Sequence, residues 1–155
     1  MSSLTTHIYV DADACPVKDE VVRVAQRHQI KTFIVSNGGL RPSRDPLVEM
    51  VTVGSGADIA DMWIAERVRH GDIVITGDIP LAAKAIENGA EVLRHDGHHY
   101  TQANIGNMLA TRDLHADLRE ANPYHQSFIK PFSKKDRSTF LMSLENRIQA
   151  IKRGE

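Results

Sequence analysis

Five aspartates stand where metal-assisted chemistry could use them: Asp11 and Asp13 in Val-Asp-Ala-Asp, Asp58 and Asp61 in Asp-Ile-Ala-Asp, and Asp78 in Thr-Gly-Asp. Asp11 and Asp13 flank Ala12 after the apolar run Ile8-Tyr9-Val10, and in extended backbone residues i and i+2 project to one side. Asp58 and Asp61, three apart, share a face if their segment is helical. Asp78 closes Ile73-Val74-Ile75-Thr76-Gly77. Each acid also has a plainer use. Asp13 suits a turn or a cap, Asp58 the acidic member of a capping box opened by Ser55, and Asp78 the cap of a helix starting near Pro80. Their recurrence at strand ends and one helix start favours a shared site. Carboxylates brought together raise one another's pKa unless a cation lies between them, so convergence predicts a hard divalent metal.

The elements that would position these acids alternate between strand-like and helix-like, the pattern of an α/β domain with a mostly parallel sheet. Strands are expected at His7–Asp11, Lys31–Ser36, about Val48–Val53, Asp72–Thr76 and Glu91–Arg94. Helices are expected from Pro16 to about His28, from Ser55 to about His70, over Pro80–Asn88 and over Asn104–Ala121. Residues 123–133 form a connector. Ser133-Lys-Lys-Asp136 then opens a final helix with Leu141, Leu144, Ile148 and Ile151 on one stripe, which must pack on the domain or on a second copy. In an open parallel sheet the strand C-termini share one edge, where ligands bind. Asp11 and Asp78 would meet there.

At 155 residues the chain reads as one domain, 1–155, long enough to bury roughly 68–70% of its unfolded surface. The single cysteine, Cys15, excludes an intramolecular disulfide and a cysteine-based zinc site, which fits a reducing cytoplasm. Cys15 precedes Pro16 near a helix start, yet no nearby histidine completes a catalytic pair, so a small buried residue is expected. No apolar run reaches membrane-spanning length and no signal-peptide pattern opens the chain. The net charge of −1 hides an asymmetry: residues 1–129 carry 12 Lys/Arg against 17 Asp/Glu, residues 130–155 carry 7 against 3. An acidic body beside a basic tail suits a polyanion gripped by its phosphates and cut at a metal; a solvated helix face is the plainer reading. The run His95-Asp96-Gly-His98-His99 follows the fifth strand, where imidazoles could bind metal or phosphate or simply be solvated. Trp63 lies among Ala60, Ile59 and Ile64 and is expected in the core.

The segments Tyr9-Val-Asp-Ala-Asp-Ala-Cys-Pro-Val-Lys18, Gly56-Ala-Asp-Ile-Ala-Asp-Met-Trp-Ile64, Ile75-Thr-Gly-Asp-Ile-Pro-Leu-Ala82 and Pro131-Phe-Ser-Lys-Lys-Asp-Arg137 resemble those of the YaiI/YqxD family of bacterial proteins. The match spans nearly the whole chain. The resemblance implies membership of the PIN-like domains, a three-layer α/β/α fold whose better-known members are Mg²⁺- or Mn²⁺-dependent ribonucleases. By position it makes Asp11 the first-strand acid, Asp58 and Asp61 the helix acids and Asp78 the acid after the fourth strand, with Asp13 beside them and Asp96 the nearest acid after the fifth. It implies a metal-lowered water pKa and in-line attack on a phosphodiester, most naturally in RNA. Lys18, Lys134, Lys135 and Arg137 would hold the backbone.

Two other classes compete. Asp11-Ala-Asp13 with Thr76 loosely resembles a haloacid-dehalogenase phosphatase, with Asp11 as nucleophile, Asp13 as acid/base and Lys84 as its lysine. A non-catalytic nucleic-acid-binding protein would use the basic tail alone.

Overall fold

Two strands with fully buried middles set the centre of the sheet. His7–Asp11 (β1) buries its three middle residues and Ile73–Ile75 (β4) all three, as parallel strands covered on both faces must. The computed structural model describes residues 6–13, 15–54, 59–110 and 132–154. Within them the other strands are Lys31–Ser36 (β2), Val48–Thr52 (β3), Glu91–Leu93 (β5) and His99–Tyr100 (β6), in the order β3-β2-β1-β4-β5-β6. All pairings are parallel except β5 with β6. Helices are Lys18–His28 (α1), Ile59–Arg67 (α2), Ile79–Glu87 (α3), 102–110 (α4) and Lys134–Lys152 (α5).

The pleat divides the apolar side chains between two cores. Ile8, Val10, Ile34, Ile75 and Leu93 face Val21 and Val24 of α1 and Phe140, Leu144 and Ile148 of α5. Tyr9, Val35, Val74 and Val92 face Ile64 of α2, Leu81, Ala82 and Ala85 of α3, and Ile105 of α4. This is the expected α/β sandwich of three layers, with an added C-terminal helix. Each fully buried Ile, Leu or Phe adds roughly 1.5–3 kcal/mol, so helix placement is decided by these faces more than by propensity.

Local signals fix the helix ends. Asp19 and Glu20 lie in the first turn of α1 and Arg27 and His28 in its last, matching the macrodipole; the chain then leaves through Gln29 at φ +56°. Ser133 and Asp136 form the expected capping box: the Asp136 N–H donates to Ser133 Oγ (3.1 Å), and the Ser133 N–H to Asp136 Oδ2 (3.0 Å).

Several boundaries differ from expectation. β4 starts at Ile73 because Asp72, buried before it, accepts the His7 and Arg69 N–H groups (3.0 and 2.9 Å) and ties off the sheet's other edge. The hairpin strand β6 was not expected, since two residues in a histidine-rich run carry no period. The stripe of α5 is Phe140, Leu144, Ile148 and Ile151, with Leu141 only half-buried. The capping box at Ser55, Asp58, residues 111–121 of the fourth helix and 123–131 of the connector lie outside the described residues.

Two contacts clamp α5. Ser143 Oγ donates to the Gly97 carbonyl (2.8 Å), where Gly97 sits at φ +92° with space for no Cβ: one built there would meet the Thr139 backbone at 2.8 Å. At the other end the Lys152 ammonium donates to His28 Nδ1 (2.7 Å), and His28 Nε2 lies 2.9 and 3.0 Å from the Glu145 oxygens. Hydrogen bonds from His28 and Gln149, with burial opposing and Arg27 assisting, hold the Glu145 carboxyl at about 2 against an ordinary 4.5.

Gly97→Ala is expected to cost roughly 1–3 kcal/mol, read by urea unfolding, because both its backbone angle and the missing space oppose a side chain. Glu145, whose folded pKa lies below its unfolded one, contributes stability above about pH 4.5 and loses it as pH falls toward about 2. Glu145→Gln should therefore be less stable than the parent near neutrality, the two curves converging at the acid end; parallel curves would refute this.

Candidate functional site

The register pairs Val10 of β1 with Ile75 of β4, so the next residue on each strand, Asp11 and Thr76, end side by side. Thr76 Oγ1 donates to Asp11 Oδ2 (2.9 Å) and accepts the Asp78 N–H (2.9 Å). Asp78 Oδ1 accepts the Leu81 N–H (2.9 Å) as N-cap of α3. A buried hydroxyl thus links the two acids across the strand pair. The crevice lies where β1 leads toward β2 on one side and β4 toward β5 on the other, the position at which open α/β sheets take their ligands.

The cleft encloses about 350 Å³ and is lined by Asp11, Asp13, Cys15, Ile75, Thr76, Gly77, Asp78 and His95. The Asp13 carboxylate accepts the Asn37 N–H (3.3 and 3.4 Å), tying the end of β1 to the loop after β2. Burial pushes the Asp11 carboxyl above its ordinary 3.8; the Thr76 hydroxyl opposes that rise, while the charges of Asp78 and Asp13 add to it. Cys15 is buried and its thiol is pushed up by burial, the reverse of an activated nucleophile.

The structure therefore brings Asp11, Asp13 and Asp78 together. Asp61 stands in the first turn of α2, half-buried, and is not part of the cleft lining. Asp58 lies outside the described residues. Asp96 is engaged elsewhere, with Arg94 Nε and Nη2 at 2.8 and 2.6 Å and the His98 N–H at 3.1 Å. The Lys18 ammonium donates to the carbonyl of Cys15 (3.4 Å), a cleft residue, while Lys18 itself lines a different cavity. Lys134 and Lys135 are exposed at the start of α5, and Arg137 lies 3.6 Å from Glu20. Trp63 is half-buried against Tyr9 and Phe33.

Two lining residues, Thr76 and His95, entered the sequence reading only through alternatives: Thr76 through the phosphatase resemblance, and His95 through a histidine run open to metal, phosphate or solvent. Thr76 could have been found from register, as a hydroxyl one step past an apolar strand at the depth of Asp11. His95 carried no distinguishing signal among four closely spaced residues with three imidazoles.

Among the described residues no three His, Cys, Asp or Glu side chains form a ready-made cage for a metal. The Thr76 bond occupies Asp11 Oδ2 and the helix cap occupies Asp78 Oδ1, leaving Asp11 Oδ1 and Asp78 Oδ2 without a bond among those residues. Such hard oxygens suit Mg²⁺, which is commonly held by one or two carboxylates and completes its shell with water and substrate phosphate. Mn²⁺ accepts the same donors.

A family described as "Uncharacterized BCR, YaiI/YqxD family" matches residues 9–150. The chain belongs to the YaiI/YqxD family. It is 62% identical over 144 residues to a UPF0178 protein of Roseobacter denitrificans, covering 93% of this chain and 95% of that one. It is 61% identical over 149 residues to a UPF0178 protein of Ruegeria pomeroyi (96% and 97%), and 46% identical over 153 residues to one of Bradyrhizobium diazoefficiens (99% and 91%). No solved structure matches the chain. Among the described residues of this YaiI/YqxD protein, no helix is long and apolar enough to cross a membrane.

The raised Asp11 pKa has a stability consequence whose sign is fixed. The folded chain binds this proton more readily than the unfolded one, so Asp11 costs stability as pH rises above its ordinary 3.8. Asp11→Asn, which keeps an acceptor for Thr76, should be more stable than the parent at neutral pH without metal. That advantage should shrink on acidification below 3.8, as measured by chemical unfolding across pH.

Proposed function

We propose that this protein is a PIN-like, divalent-metal-dependent nuclease that hydrolyses phosphodiester bonds in RNA at the cleft between β1 and β4. The observation that carries the reading is the meeting of Asp11, Asp13 and Asp78, from two separate strand ends, around one crevice with Thr76 bonded between two of them. Mg²⁺ or Mn²⁺ bound to these carboxylates would supply positive charge to the phosphoryl oxygens and lower the pKa of water.

The chain's own residues do the rest. Thr76 holds Asp11 in one rotamer, so its other oxygen points at the ligand without a search. The α3 cap does the same for Asp78. Asp11, desolvated and flanked by like charge, gains most when a cation arrives, and it is the acid best suited to accept a proton from attacking water. Lys18 reaches the Cys15 carbonyl from α1, and the basic start of α5 offers contacts to backbone phosphates. The reading rests on Asp11, Asp13 and Asp78 and does not require Asp61. The phosphatase alternative gains no support, since Lys84 is exposed in the last turn of α3 and no lysine is part of the cleft lining among the described residues.

The test is cleavage of a labelled single-stranded RNA with Mn²⁺ or Mg²⁺. The wild-type protein should cut and a chelator should stop it. Asp11→Asn and Asp78→Asn should each lose on the order of 100-fold or more while keeping the fold, because Asn still accepts from Thr76 and still caps a helix. Cutting that persists in both variants, or without any metal, would sink the proposal. Release of phosphate from small monoesters with RNA left intact would replace it with the phosphatase.

A further inference from the structure

From the acids' cleft, His95 leads to Phe132 and Arg137, a juxtaposition that sequence alone does not give. His95, part of the cleft lining, packs its ring against Phe132 (centroids 5.7 Å, 54° between planes). The Arg137 guanidinium lies over that same Phe132 ring at 5.5 Å. Arg137 Nε is also 3.6 Å from Oε1 of Glu20, a residue only 8% exposed whose other carboxylate oxygen is buried without a hydrogen-bond partner among the described residues. Glu20 in turn lies within electrostatic reach of Cys15 in the cleft lining. His95 and Phe132 therefore link the cleft lining to Arg137, which stands outside that lining.

Arg137 offsets the charge of the buried Glu20, a task that leaves its donors largely unused. The guanidinium has five N–H donors, and the Glu20 contact at 3.6 Å, longer than a hydrogen bond, occupies none of them fully. Half its side chain is in solvent, one helical turn beyond the exposed Lys134 and Lys135. A planar, permanently charged fork of this kind matches a phosphate, and the half-buried His95 and Phe132 rings beside it offer aromatic surface to a nucleobase.

Resting on the nuclease reading for its substrate class, we propose that His95, Phe132 and Arg137 bind one unpaired nucleotide next to the scissile phosphate. The rings stack its base, and the guanidinium, oriented by Glu20, grips its phosphate. A duplex cannot use the site, because its bases are already stacked on one another. The protein therefore selects single-stranded RNA.

The experiment is equilibrium binding of a labelled single-stranded RNA, and of the same RNA as a duplex, to the full-length protein with metal chelated so that nothing is cut. Phe132→Ala should bind the single strand roughly 5- to 150-fold more weakly and leave duplex binding nearly unchanged, with Phe132→Tyr restoring affinity. Arg137→Gln should weaken binding and reduce the salt slope by about one phosphate contact. Glu20→Gln should reproduce part of that salt-dependent loss without lowering the melting temperature, which a merely structural role for Glu20 would not do. The site is overturned if the wild-type protein binds no single strand, if Arg137→Gln keeps both the affinity and the salt slope, or if loss at Phe132 is equal for duplex. RNA cleavage that continues while these variants bind normally refutes this site alone. Variant-sensitive binding in a protein that cuts nothing supports this site and refutes the nuclease reading.

Discussion

The pairing of β1 with β4 is the constraint on which the cleft depends. Both strands are buried on two faces, so a slip of one residue would turn Ile8, Val10, Ile73 and Ile75 into the wrong core and expose or overpack several side chains at once. That apolar penalty, summed over four residues at roughly 1.5–3 kcal/mol each, far exceeds what repulsion among a few half-solvated acids can oppose. The core therefore holds Asp11 against Thr76 and beside Asp78 although the carboxylates would separate if they could. The site is an electrostatic defect imposed by hydrophobic register.

The same logic separates the two ends of the sheet. At the edge where the strands begin, Asp72 is almost fully buried, yet it accepts two backbone N–H groups and pairs with His7. Its charge is consumed in closing the fold. At the opposite edge Asp11 has one hydroxyl and two like-charged neighbours. Buried carboxylates with full partners stabilise, whereas those with like-charged neighbours cost stability and persist where a ligand repays it.

Legibility from sequence followed this division between apolar pattern and tertiary contact. β1 and β2 were readable to the residue because runs such as Ile8-Tyr9-Val10 and Phe33-Ile34-Val35 admit little else, and the Ser133–Asp136 cap was readable because its chemistry is local. Asp11, Asp13 and Asp78 were readable as acids after strands, and their meeting followed from the topology of a parallel sheet. Asp61 shows the limit of that method: helical phase fixes its neighbours on α2 but not its distance from a strand end. Thr76 and His95 were candidates from sequence, but the bond of Thr76 to Asp11 and the packing of Phe132 on His95 were unreadable for the same reason. Their significance lies in what stands 20 to 120 residues away, as with the Thr76 hydroxyl that finds Asp11 or the Phe132 ring that finds His95.

The last helix closes the chain of dependence. α5 is held by its apolar stripe and by clamps at Gly97 and Glu145, and those contacts decide where its basic first turn lies. Without them Arg137 would be a solvated cation on a mobile stem, which contributes little to binding a specific partner because its ordering entropy is lost on contact. Over Phe132 and 3.6 Å from Glu20, with half its side chain in solvent, it has lost only part of that freedom in the folded chain. The body's negative charge and the tail's positive charge are thus separated by the packing: acids stand at the strand ends, and Arg137 stands at the start of α5 beside Phe132 and Glu20. A phosphate entering between them would meet attraction from one wall and, until a cation shields the other, repulsion. Under the proposed function, that asymmetry would orient a polyanion before any chemistry begins.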